Sequence, residues 1–346
     1  MAFSFSRFAL SMLSLLLAAG LLASGRAAHA ADAGQTISFP AGAGAGAGRK
    51  IVLVSGDQEY RSEEGLPQLA KILAKYHGFN TTVVFALDPD GTINVDNENN
   101  IPGLEALDTA DLMIIATRHR NLPDDQMKHI ADYVEAGKPV ISLRTATHAF
   151  LIPADRKYAH YGNEHKGGDW DGGFGRRVLG EHWINHHGKH GSESTRGIFA
   201  PGQADNPILR GIKDGEIWGP TDVYAVRLPL PEGCTPLVLG QVLEGMSPND
   251  KPLAGPKNDP MMPVAWTRVR TENGKPARSF TTTMGSSKDL ENEALRRLVV
   301  NASYWAVGSE DKIPAKAVVD IVGKYETLPF KFGGSKKGVK PGDLTN

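Results

Sequence analysis

The sequence predicts an α/β protein built on a doubly wound, mostly parallel sheet with helices on both faces. Three observations predict it. Short apolar runs of strand length alternate with amphipathic helical patterns, which is the order of β-α-β units. Those runs are apolar throughout, as strands covered on both faces must be. With 40% hydrophobic and 22% charged residues among 346, the chain has enough apolar material for a core and is not disordered by composition.

The order starts with segments outside the core. Arg7 precedes an apolar run from Phe8 to Ala23, and Ala28-His29-Ala30 has the small-x-small form of a cleavage site. Residues 1–30 therefore read as a secretory signal peptide. The run is shorter than the ~20 residues of a spanning helix, so the expected product is exported to the periplasm or outside the cell, with no membrane anchor after cleavage. Removing Arg7 and Arg26 leaves 36 basic against 39 acidic residues. Residues 31–48, which include AGAGAGAG at Ala41–Gly48, read as a flexible linker. The folded domain is expected over 49–308, and 309–346 as a partly disordered Gly/Lys-rich extension.

Within the domain, Ile51–Val54 is the first strand. Ser62 is the expected N-cap of a helix, with Glu63 and Glu64 in the first turn, Leu66, Leu69, Ala70 and Leu73 on one face, and Gly78 as the stop. Strands follow at Thr81–Leu87 and Leu112–Ala116. Pro123 opens a helix whose inner face is Met127, Ile130, Ala131 and Val134, ended by Gly137 and Pro139. Val140–Leu143 is the next strand. From about 155 to 200 the chain is rich in Gly, His and Trp without clear period and reads as a functional insertion. Strands resume at Cys234–Leu243, Met262–Trp266 and Arg278–Thr283, and a last helix is expected from about Asp289 to Val307.

Near-balanced charge gives no basic field for nucleic acid. Cys234 is the single cysteine, so neither an internal disulfide nor a cysteine zinc knuckle can form. The expected partner is a small molecule, a carbohydrate or sugar acid, with homo-oligomerisation possible.

In open parallel sheets, ligands bind outside the carboxyl ends of the strands. Three such loops carry Asp57-Gln58-Glu59-Tyr60-Arg61, Arg118-His119-Arg120 and Arg144-Thr145-Ala146-Thr147-His148. Asp57, Glu59, His119 and His148 are the acid–base candidates. Arg118, Arg144, Thr145 and Tyr60 are binding candidates. The last loop has the position of a nucleophile elbow, but its tip is Arg144, which stays protonated and cannot attack. A Cys–His glutaminase mechanism is thereby excluded at this position, and Thr145 is left as the nearest hydroxyl. Seven of the 11 histidines lie between 148 and 190. His182 and His186 have i, i+4 spacing, and with His187 they form a candidate site for a zinc-like divalent metal. Trp183 is a candidate sugar-stacking platform.

The Ile51 strand, the helix before Gly137-Lys138-Pro139-Val140-Ile141-Ser142-Leu143-Arg144, the segment Asn206–Ile212, Thr221-Asp222-Val223-Tyr224, Pro263–Arg268 and Phe280–Gly285 occur in an order that resembles the trehalose-utilisation ThuA-like family. The resemblance spans roughly residues 50–308. It implies a class I glutamine amidotransferase-like, flavodoxin-like fold and a role in disaccharide catabolism, through keto-sugar intermediates. It adds Asp222 and Tyr224, which match a family acidic–aromatic pair, as pocket candidates. Two positions depart from the family: Arg144 and Ser286 stand where relatives commonly carry histidine. Three functions follow: a carbohydrate enzyme (hydrolase, lyase or isomerase), a non-catalytic sugar-binding protein, or a metal-dependent enzyme using the His-rich segment.

Overall fold

The computed structural model describes residues 34–346; the expected signal peptide lies outside the described residues. Ten strands, β1 (Thr36–Phe39), β2 (Lys50–Gly56), β3 (Asn80–Phe85), β4 (Leu112–Thr117), β5 (Val140–Leu143), β6 (Thr195–Phe199), β7 (Ile217–Gly219), β8 (Cys234–Val242), β9 (Met262–Glu272) and β10 (Lys275–Thr282), form one sheet in the order β1-β3-β2-β4-β5-β10-β9-β8-β6-β7. The α-helices are α1 (Ser62–His77), α2 (Asp124–Glu135) and α3 (Glu293–Ala306). None of the described helices is long and apolar enough to cross a membrane.

The sheet is mixed rather than mostly parallel. Strands β3, β2, β4, β5 and β10 run parallel, whereas β1 and the block β9-β8-β6-β7 are antiparallel to their neighbours. The cause is connection length. Parallel neighbours need a crossover, but β9 reaches β10 through Asn273-Gly274 alone, both in the left-handed region (φ 49° and 74°), which is the geometry of a tight hairpin.

Each central strand serves two cores. In β2, Ile51 and Leu53 join Leu69 and Leu73 of α1 and Leu295 and Val299 of α3 on one face. Val52 and Val54 join Met127, Ile130 and Val134 of α2 on the other. Period-2 alternation thus explains why the run is apolar at every position. Each fully buried side chain of this kind contributes about 1.5–3 kcal/mol.

Four other expectations change. Arg61, at φ 60° and with no capping side-chain bond, holds the cap position of α1; Ser62 is its first residue, and its N–H donates to Asp57 Oδ2 at 3.0 Å. The final helix starts later, because Asn292 Oδ1 accepts from Leu295 N at 2.9 Å and caps α3. The Gly-Ala stretch is not a free linker: Gly42, Gly46 and Gly48 donate to Ala74, His77 and Gly78 carbonyls at 2.7–2.9 Å. A Cβ on Gly44 would lie 2.3 Å from the His77 carbonyl carbon, so the close approach requires glycine there. The C-terminal extension is tied down as well. Tyr325 Oη donates to Ser287 O at 2.7 Å, Leu328 N to Glu64 Oε2 at 2.9 Å, and Lys331 N to Glu59 O at 2.9 Å. Residues 151–194 contain only short helical turns between β5 and β6.

Candidate functional site

The chain turns from β2 to β3 on one side and to β4 on the other, so the β2 and β4 ends flank a change of direction, where α/β sheets bind ligands. Five non-glycine residues among those described have positive φ, and three of them sit on the loops at this edge: Arg61 (60°), His119 (50°) and Arg144 (44°). Strained backbone concentrates at functional sites. The β4 and β5 loops are stitched together, with His119 N donating to His148 O at 3.0 Å and Arg120 N to Ala149 O at 2.8 Å.

Arg144 is the centre of the buried layer. Its Nη1 donates to Asp222 O at 2.7 Å and Thr283 O at 2.8 Å, and its Nη2 to Asp222 Oδ1 at 2.7 Å and Tyr60 Oη at 3.0 Å. The guanidinium also lies 3.6 Å from the Tyr224 ring centroid and 4.5 Å from that of Tyr60. Burial would raise the Asp222 pKa, but Arg144 and hydrogen bonds from His186 and His190 outweigh it and hold the carboxyl well below its ordinary range. Burial pushes the Tyr60 phenol up to about 12 despite Arg144, so it stays a neutral donor. Asp289 supports this layer from behind: its carboxylate accepts from Thr221 N and Oγ1 and from Gly285 and Ser286 N, at 2.7–3.2 Å. Ser286 accepts from Asp289 N at 3.0 Å and completes that loop.

Above Arg144 the edge holds two pairs of histidines. His119 and His148 pack edge to face, centroids 5.2 Å apart, and His148 packs at a tilt against Trp183 at 5.2 Å and approaches Tyr224 at 6.1 Å. Burial, then Arg118 and Arg120, push His119 down to about 4. Burial, then His119, Arg118 and Arg144, hold His148 well below its ordinary value. Both rings are neutral at pH 7.

The second pair comes from the His-rich segment. Residues 185–188 lie alongside 223–225, with His187 N donating to Val223 O at 2.8 Å and Ala225 N to Asn185 O at 2.9 Å. This places His186 Nδ1 2.7 Å from Asp222 Oδ2, and His190 Nδ1 3.1 Å from Asp222 Oδ1. His190 Nε2 is 3.0 Å from Glu59 Oε1. Hydrogen bonds to Asp222 and Glu59 push His190 up to about 9, against burial. Phe330 of the C-terminal extension covers both Tyr60 (5.5 Å) and His190 (5.2 Å).

Several candidates fall into other roles. Asp57 spends its carboxylate on backbone N–H groups of Glu59, Tyr60 and Ser62, so it shapes its loop and is not free for proton transfer. The Thr145 hydroxyl is buried with no hydrogen-bond partner, hence no base activates it as a nucleophile. Arg118 stays at the rim, donating to Gln58 Oε1 at 3.4 Å under the Phe332 ring. The metal trio His182, His186 and His187 does not converge: His187 Nε2 turns to Lys257 O at 2.8 Å, and His182 lies beside Glu181. The spacing assumed a helix, and this segment has none. Instead His186, His190 and Asp222 converge. Burial pushes the Cys234 thiol up to about 11, which leaves it inert. His190, Asp289 and Phe330 were missed as site residues; of these only His190 carried a signal, its place in the histidine cluster.

A family model described as ThuA, trehalose utilisation, matches residues 50–306. Solved structures that resemble the chain include two ThuA-like proteins. A ThuA-like protein of Bacteroides uniformis ATCC 8492 aligns with TM-score 0.43 and 15% identity, over 78% of this chain and 95% of that one. A ThuA-like protein of Parabacteroides merdae ATCC 43184 aligns with TM-score 0.45 and 13% identity, over 83% and 96%. No curated protein matches the chain.

Proposed function

The chain belongs to the ThuA trehalose-utilisation family, and from that premise we propose that it is an exported enzyme acting on a modified or keto-glycoside by hydrolysis, elimination or isomerisation. The observation that carries this reading is the neutral pair of half-buried His119 and buried His148, set against Trp183 and Tyr224. An aromatic wall suits the apolar face of a sugar ring. A neutral imidazole N–H beside it polarises a carbonyl oxygen without bringing a charge of its own. Such polarisation acidifies the adjacent C–H, which is what a keto-sugar offers and an unoxidised sugar lacks. Glu59, on the facing loop, is the carboxylate left to take part in proton transfer once Asp57 is committed to its backbone. Arg118 at the rim and Tyr60 below provide polar contacts for hydroxyl groups.

Incubation of the purified chain with matched panels of keto-glycosides and unoxidised disaccharides tests the reading. Turnover is expected for the keto panel alone, with a loss of roughly 10²–10⁴-fold in His148→Ala. Calorimetric binding of sugars without any turnover would instead make the protein a sugar or sugar-acid receptor. Arg144 locked onto Asp222 at the elbow tip, in place of a nucleophile, is the observation that favours that second reading.

A further inference from the structure

We propose that His186, His190 and Asp222 form a binding site for a first-row divalent cation of the zinc type, with Glu59 as the outer carboxylate that orients His190. One ligand atom from each of the three residues lies within 4.8 Å of the others. His186 Nδ1 and His190 Nδ1 both face the Asp222 carboxylate, at 2.7 and 3.1 Å. Ligands at zinc distances of about 2.0–2.2 Å leave neighbouring donor atoms roughly 3–3.5 Å apart, so the cluster needs only small adjustments. Two imidazoles and one carboxylate suit zinc, cobalt or nickel better than magnesium or calcium.

His190 supplies the second indication. Its Nδ1 faces Asp222 and its Nε2 faces Glu59 at 3.0 Å. A protonated imidazole donates to both carboxylates, and a cation on Nδ1 takes the place of one of those two protons. With a cation on Nδ1, the remaining Nε2–H donates to Glu59, which is the carboxylate–histidine–metal arrangement. Arg144 holds Asp222 Oδ1 at 2.7 Å and leaves Oδ2, the oxygen beside His186, as the natural ligand. The two histidine side chains are 39% and 34% exposed, which gives an ion a way in. Three protein ligands leave a coordination position for water or a substrate oxygen. The cation adds an electrophile to the edge read above as a keto-glycoside site, and it rests on this geometry rather than on the substrate.

The test reads metal rather than turnover, so it and the substrate assignment fail separately. Untagged full-length chain is stripped with chelator and titrated with Co²⁺, then Zn²⁺. One equivalent of Co²⁺ with visible d–d absorption, displaced by Zn²⁺, is expected. Glu59→Gln should weaken binding about 10–100-fold, and His186→Ala and His190→Ala should abolish the spectrum. His182→Ala and His187→Ala should keep it, and a thermal melt of each variant confirms folding. Absence of a cobalt spectrum in the stripped chain, or stoichiometric binding unchanged in His186→Ala and His190→Ala, would overturn the proposal.

Discussion

Two pairs of histidines share one edge of the sheet in opposite surroundings. His119 and His148 lie 5.2 Å apart among Arg118, Arg120 and Arg144 and are neutral. His186 and His190 lie 5.0 Å apart beside Asp222 and Glu59, and His190 is held charged up to about pH 9. Residue type is the same; burial and the sign of the neighbours decide the difference. A site that separates the protonation states of like groups has assigned them different work. The uncharged pair faces the aromatic wall, and the carboxylate-bound pair faces the exposed rim.

The most damaging way to break this contrast is Asp222→Asn. It removes the counter-charge shared by Arg144, His186 and His190. Leaving Arg144 buried without its partner should cost about 3–5 kcal/mol, read by chemical denaturation. A loss below about 1 kcal/mol would show that the pair contributes nothing to the fold.

A smaller effect sharpens the contrast on the acid side. His119 has a folded pKa of about 4, below its ordinary 6.5. Its contribution to stability is therefore present above pH 6.5 and lost as pH falls toward 4. NMR titration should show the His119 imidazole neutral down to about pH 4 while His190 stays protonated to about pH 9. Coincident titrations near 6.5 would erase the distinction. Arg118→Met should move His119 upward, since burial is the larger cause and Arg118 the next.

A further effect, on the alkaline side, lies under the loop that carries Glu59. Both Glu63 carboxylate oxygens are buried without hydrogen-bond partners, and burial, then Asp57, push this group up to about 8. An acid raised in the folded state stabilises most at low pH, and that contribution disappears as pH rises through 8. The melting temperature should fall between about pH 4.5 and 8, and Glu63→Gln should flatten that fall. An unchanged slope in the variant would place the alkaline loss elsewhere.

The parallel half of the fold was legible because strands buried on both faces are written as uniform apolar runs, as at Ile51–Val54 and Leu112–Ala116. The antiparallel half was less so. Strands β1, β6 and β7 are three to five residues long and carry mixed burial, too short for a period to stand out. Asn273-Gly274 is a local hairpin signal in that half. At the site, strand-end logic located Arg144, His119, His148 and Tyr60, because the fold rule alone places those loops together. It could not select His190 over His182 and His187. Which histidine meets Asp222 depends on the pairing of residues 185–188 with 223–225, and that pairing has no local spacing rule. Asp57 and Glu59 show the same limit. Two carboxylates two positions apart look equivalent until one is seen to bind its own backbone.

The strap at residues 328–332 has a consequence for the order in which the molecule assembles. Lys331 accepts from Arg61 across 270 positions of chain, and Leu328 donates to Glu64 across 264. Closing so large a loop is entropically costly and is rewarded only after the sheet and α1 exist to receive it. The rim over His190 is thus a late acquisition in folding and an early loss in local opening. A protease cut just before Tyr325 would then leave the sheet intact yet strip the roof from the carboxylate-bound histidines.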